Sequence, residues 1–168
     1  MTRGLALRLV PAAAVPVCQL ADLFAALAEA GDEGYFHPHP LTREAAAQIV
    51  GYQGKDVYVV AVAGDELAGY GMLRGWDEGY EVPSLGLAVA PEQRGIGVGA
   101  WLTGALHDIA RTRGADRVRL TVSDDNEPAR RLYERLGYEF SHLRDGVDIG
   151  YCLLDFPSQV EPSRTWAD

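Results

Sequence analysis

The chain has 168 residues, 48% hydrophobic and 23% charged, with 24 acidic against 15 basic residues and a formal net charge of −9. That length predicts one domain with a sizeable core, and the acidic balance disfavours nucleic acid, because nothing broad is present to neutralise phosphates. Cys18 and Cys152 make neither a disulfide framework nor a metal cluster, and no apolar run is long enough to span a bilayer. Met1 to Gly4 does not open a signal peptide, so a cytoplasmic protein is expected, with no membrane partner and no metal.

Leu5, Leu7 and Leu9 alternate as a first strand, broken by Pro11 and Pro16. Leu20, Leu23, Phe24 and Leu27 make an amphipathic helix from Val17 to Ala30, closed by Gly31. The proline-rich stretch Phe36-His37-Pro38-His39-Pro40 suits neither helix nor central strand. Thr42 caps a second helix through Val50. Val57 to Ala63 and Leu67 to Leu73 read as strands around the turn Gly64-Asp65-Glu66. The loop Arg74 to Pro83, dense in aromatic and acidic residues, leads into a strand carrying Leu85, Leu87 and Val89.

Pro91 stops that strand, and Gly95, Gly97 and Gly99 follow in a turn stripped of side chains, where backbone can approach a ligand closely. A helix comes next, Ala100 to Arg113, with Leu102, Leu106, Ile109 and Ala110 on one face. Its free N–H groups and dipole make an anion site, to which Arg94 adds a positive charge. The ligand this suggests is a phosphorylated cofactor. No Gly-Lys-Ser/Thr ending is present, which disfavours a triphosphate loop. Gly95 to Ala100 fits the dinucleotide pattern G-x-G-x-x-A. Against that reading, Pro91 to Arg94 separates strand from glycines, and the motif lies mid-chain. A dinucleotide-binding protein therefore stands as a rival.

Val118, Leu120 and Val122 alternate in a fifth strand. A solvated polar turn, in which Asp124 and Asp125 are expected to cap the next helix, precedes a helix that has Pro128 in its first turn and Gly137 at its end. Tyr138 to Leu143 and Val147 to Leu154 are two strands around Arg144-Asp145-Gly146. His107 and His142 read as lone surface histidines, and Trp101 as packing at the helix start. The domain is expected over residues 1–156, with a polar tail at 157–168.

The segment Arg94-Gly95-Ile96-Gly97-Val98-Gly99 resembles the acetyl-CoA loop of the GCN5-related N-acetyltransferase (GNAT) superfamily. Asn126, Leu132-Tyr133 and Leu136-Gly137-Tyr138 resemble its second motif, and the element order β-α-α-β-β-β-α-β-α-β-β extends the likeness over nearly the whole chain. The resemblance implies an α+β fold, a mixed, mostly antiparallel seven-stranded sheet with helices on both faces. It implies acetyl-CoA as cofactor, its pyrophosphate held by Arg94 to Ala100 (Ile96 and Val98 among them) and its pantetheine arm by Asn126. It makes Tyr133 both a cofactor contact and the general acid, protonating a thiolate whose free pKa is ~8.5. It places the oxyanion donors at the N–H groups of Leu87, Ala88 and Val89. Some members carry a catalytic glutamate on the fifth strand; Thr121 stands there in this chain, so the base must lie elsewhere or act through water.

For that base, Glu78 is the first choice, with His37 or His39 next. Trp76 and Tyr80 are expected to stack on or flank the acceptor, while Asp77, Glu78 and Glu81 supply negative charge. The expected function is acetyl-CoA-dependent N-acetyl transfer to a primary amine of a small molecule, by direct attack in a ternary complex. An amino sugar or amino-sugar nucleotide is the sharpest form of that acceptor. A protein or peptide amine and a non-catalytic CoA-binding sensor remain as alternatives. The assembly is expected to be a monomer or homodimer.

Overall fold

Alternation and turn chemistry set the order of the elements. The structure is a computed structural model that describes residues 6–36 and 38–154; Leu5, His37 and the expected tail lie outside the described residues. The strands are β1 (Leu7–Pro11), β2 (Val57–Ala63), β3 (Glu66–Arg74), β4 (Ser84–Val89), β5 (Arg117–Ser123), β6 (Glu139–Arg144) and β7 (Val147–Leu153). The helices are α1 (Val17–Glu29), α2 (Arg43–Val50), α3 (Val98–Thr112) and α4 (Glu127–Arg135). The spatial order of the sheet is β1-β2-β3-β4-β5-β7-β6. Tight turns join β2 to β3 and β6 to β7, with Gly64 and Gly146 at positive φ, so those pairs are antiparallel. β4 and β5 are joined by the α3 crossover and are parallel.

Helices cover both faces. Leu20, Phe24 and Leu27 of α1 and Ala46 and Ile49 of α2 pack on Val60, Tyr70 and Met72. Val98, Leu102 and Leu106 of α3 pack on Leu73, Leu85, Val118 and Leu120, and Tyr133 of α4 joins them. Each large apolar side chain so buried stabilises the fold by about 1.5–3 kcal/mol relative to exposure. Gly71 permits the close seating of α3, since a Cβ there would meet Leu106 Cδ1 at 2.9 Å.

Local capping follows the sequence at α2, where Thr42 Oγ1 accepts from Ala45 N–H at 3.2 Å. At α4 the cap is Asn126, whose Oδ1 accepts from Ala129 N–H, while Asp124 and Asp125 stay exposed. The third helix begins at Val98, two positions earlier than its glycines suggest, because Gly97 at φ 94° already ends the turn. His107 is not at the surface. It is buried on α3, with Nε2 2.7 Å from the Tyr138 hydroxyl. His142 is exposed, as read.

Candidate active site

β4 and β5 share a single rung, Ser84 opposite Arg119. Beyond it they part, and the sheet has a gap. On the other side of β4 the ladder to β3 is complete from Arg74–Ser84 to Gly69–Val89. Ala90 N–H donates to Ala68 C=O at 2.9 Å. By the alternation of an antiparallel ladder, Ala88 also faces β3, whereas the N–H groups of Leu87 and Val89 turn into the gap. A cleft of about 1090 Å³ passes through it, reaching both faces of the sheet.

On the α3 face, Gly95 at φ 76° and Gly97 at φ 94° bend the chain into the helix. The first N–H groups of α3, which no intrahelical carbonyl takes up, open on the cleft at Val98, Gly99 and Ala100. Gly99 lets α3 and α4 approach, since a Cβ there would meet Leu132 Cδ2 at 3.1 Å. Arg94 lines the mouth, its Nε donating to Val89 C=O at 3.1 Å. Ile96 alone of the loop turns outward and is 59% exposed.

α4 brings Asn126 and Tyr133 to the same wall. The Tyr133 ring is buried edge-on to Tyr138, centroids 5.4 Å apart. Its hydroxyl takes no hydrogen bond from any described residue. Burial raises its pKa well above the ordinary tyrosine range. Behind it, burial lowers the His107 pKa to about 4, so the neutral imidazole accepts a hydrogen bond from Tyr138.

On the opposite face the wall is formed by Phe36, Pro38, Arg74, Glu78, Tyr80, Arg119, Thr121 and Arg144. The loop after β3 is split by its hydrogen bonds. Asp56 Oδ1 collects the N–H groups of Gly75 and Trp76 at 3.0 and 2.9 Å. Glu78 and Tyr80 are thereby left facing the cleft. Trp76 and Asp77, expected on the acceptor wall, do not line it. Trp76 lies against the α3-side core with the Arg113 guanidinium 4.8 Å over its ring. The Asp77 carboxylate accepts from the Tyr52 hydroxyl and from Lys55 N–H. Glu81 is also absent from the lining.

His39 is placed apart as well. Its Nδ1 lies 2.7 Å from the Pro40 carbonyl, which only accepts, so Nδ1 carries the proton and Nε2 takes the Tyr70 hydroxyl at 3.0 Å. Its ring sits between Phe24 and Phe36, and burial lowers its pKa. Both nitrogens are occupied in a packed aromatic cluster beside the cleft. His37 lies outside the described residues. The sequence reading passed over Arg74 and Arg119. The alternation Val118-Arg119-Leu120 did mark Arg119 as turned away from the core, but not that its face is a cleft wall.

Among the described residues, no group of three or more His, Cys, Asp or Glu is placed to hold a metal, and no helix is long and apolar enough to cross a membrane. The profile of the acetyltransferase (GNAT) family matches residues 20–138. The streptothricin acetyltransferase of Streptomyces lavendulae is 33% identical over 106 residues, covering 60% of this chain and 55% of that protein. The chain thus spans about half the length of that curated relative. The fold is that of the GNAT domain of S. lividans PAT (TM-score 0.77, 18% identity, 88% and 90% of the two chains covered). It is also that of the PaiA N-acetyltransferase from Thermoplasma acidophilum, solved with coenzyme A (TM-score 0.72, 16% identity, 88% and 99% covered).

Proposed function

The chain belongs to the acetyltransferase (GNAT) family, and from that premise we propose that it transfers the acetyl group of acetyl-CoA to a primary amine of a small molecule. The observation that carries this reading is the gap between β4 and β5. Through it a single cleft runs from the glycine loop on one face to the wall of Arg74, Glu78, Tyr80 and Arg119 on the other. Two substrates entering from opposite faces then meet at the Leu87 and Val89 N–H groups. The naming of the S. lavendulae relative for streptothricin supports a small-molecule acceptor.

The residues present fit the cofactor. The left-handed glycines and open α3 amides suit a diphosphate, and the unpaired strand edge of β4 suits an extended arm bearing amides. Acetyl-CoA supplies a thioester carbonyl for the amine to attack. The N–H groups of Leu87 and Val89 are preset donors for the oxygen that gains charge. Tyr133, kept protonated by burial, would hold its hydroxyl proton for the thiolate that such a transfer releases. Glu78 removes the proton that the amine nitrogen must lose, directly or through one water. Tyr80, 57% exposed on the wall, offers a face for the acceptor's body.

Release of free thiol from acetyl-CoA, followed across a panel of primary amines, tests the reading. Thiol release that depends on the amine and yields its acetamide supports it. The same slow release with and without every amine would leave a CoA-binding domain without transferase activity.

A further inference from the structure

One rung of the sheet has a side-chain row that neither the glycine loop nor the acid–base pair uses. Arg74 of β3 stands opposite Ser84 of β4, and Ser84 stands opposite Arg119 of β5. Leu73, Leu85 and Val118, their neighbours in sequence, are buried in the α3-side core. Alternation therefore turns Arg74, Ser84 and Arg119 together onto the acceptor face. Strands lie about 4.8 Å apart, so two arginines flank the small Ser84 in one row at the root of the gap. Arg74 is steadied by an Nη1 hydrogen bond to Pro38 C=O at 2.7 Å, and Arg119 lies 5.5 Å over the Tyr80 ring. Each is half-buried and lines the cleft.

The charge of this wall is opposite to that of the chain. Asp32 and Arg94 neutralise each other by an ion pair. The charged residues of the acceptor wall are Arg74, Arg119 and Arg144 against one carboxylate among the described residues, Glu78. Among the described residues none of these three arginines has an ion-pair partner. In a protein of net charge −9, cations concentrated on a cleft wall await an anion. That anion is not the diphosphate of the cofactor. The glycine loop follows the far end of β4, five residues from the Ser84 rung, about 17 Å along the strand, and it opens on the other face.

We propose that the acceptor amine also carries an oxyanion group, a carboxylate or a phosphoryl group, clamped by Arg74 and Arg119 at the Ser84 rung. This rests on the transferase reading above. The amine then points along β4 toward Leu87, about 10 Å from the rung, a span that the arginine side chains shorten. The acceptor is a compact molecule with amine and anion a few bonds apart. Guanidinium groups match the paired oxygens of either anion with two parallel hydrogen bonds.

Matched acceptors test this: α-amino acids against their primary amides, and aminoalkyl phosphates against the corresponding amino alcohols. The readout is the ratio of kcat/KM for the anionic member to that for its neutral partner, which cancels losses common to both. We expect the wild-type ratio to exceed about ten for one of the two series, and the series that responds tells carboxylate from phosphoryl. Arg119→Gln should cut that ratio about 10- to 100-fold, the scale of a charge-assisted pair. Arg74→Gln gives the same reading from another strand should the first variant fail to fold. Calorimetric titration of the protein with the same anionic compounds reads the clamp without turnover. A wild-type ratio near one in both series, or a preference that survives both substitutions, would overturn the clamp and leave acetyl transfer standing. Anion binding that is lost in Arg119→Gln, with no amine acetylated, would keep the clamp and remove the transferase.

Discussion

Arg94 Nη2 lies 2.6 Å from Asp32 Oδ2, joining the glycine loop to the turn that follows α1. The Arg94 side chain is 42% exposed, so the pair contributes little to stability, about 0.2–1 kcal/mol. On the proposed reading its larger consequence is for binding, since the carboxylate would compete with an incoming diphosphate for the same guanidinium. Asp32→Asn should therefore tighten acetyl-CoA binding two- to fivefold at low salt. The gain should vanish near 1 M salt, where the Debye length is about 3 Å. Calorimetry at two ionic strengths checks this; weaker binding in the variant would mean that Asp32 holds Arg94 in place for the phosphate.

Gly97 is in the left-handed region at φ 94°. Gly97→Ala and Gly97→Glu both force a side chain there, at a cost of about 1–3 kcal/mol. Only glutamate adds a negative charge at the α3 N-terminus. We expect similar melting temperatures for the two variants, and a stabilisation by acetyl-CoA that persists in the alanine form but is lost in the glutamate form.

Tyr133→Phe removes a hydroxyl that bonds to no described residue, so stability should hold while turnover falls about 100-fold or more. The raised pKa of the buried tyrosine keeps the acid in hand throughout the neutral range. A loss below threefold would show that sulfur is protonated by another group or that the step is not rate-limiting.

Glu78→Gln keeps the shape of the cleft wall and removes the carboxylate proposed as the base. The loss of rate should be greatest at low pH, where the acceptor amine is protonated and most in need of one. The shift in melting temperature caused by acetyl-CoA should remain. Unchanged rates across the pH range would exclude Glu78 from proton transfer.

His107 is held neutral, its pKa lowered to about 4 by burial and then by Arg111, whereas in the unfolded chain it titrates near 6.5. The unfolded state thus binds the extra proton first, and stability declines as pH falls from about 6.5 toward 4. His39, lowered in the same direction, adds to that limb. His107→Gln should be less stable at pH 7, with a shallower decline below it. Denaturant unfolding at pH 7, 5.5 and 4.5 reads the difference; parallel curves would remove His107 from the acid limb.

The sequence by itself determined what local chemistry decides. The apolar run Val57 to Ala63 before a turn and the alternation at Val118 to Val122 marked strands, and Thr42 marked a cap, all borne out in the fold, whereas the glycines from Gly95 put the start of α3 two positions too late. The family was legible for the same reason, since the glycine loop after β4 and the Leu132-Tyr133 and Leu136-Gly137-Tyr138 pieces are each contiguous in the chain.

Other features had no contiguous signal. The row Arg74–Ser84–Arg119 is assembled from three strands by register, and register depends on which partners meet across the sheet. Trp76 and Glu78 are two residues apart, yet only Glu78 reaches the cleft, because Asp56 and Tyr52 draw the intervening backbone and Asp77 to the other side. His39 looked free to titrate until the fold supplied Pro40 and Tyr70 for its two nitrogens. His107 gained its partner from Tyr138, 31 residues away. Backbone propensity is a property of neighbours in the chain. The direction and protonation of a side chain belong to neighbours in space, which only the packed sheet and its helices provide.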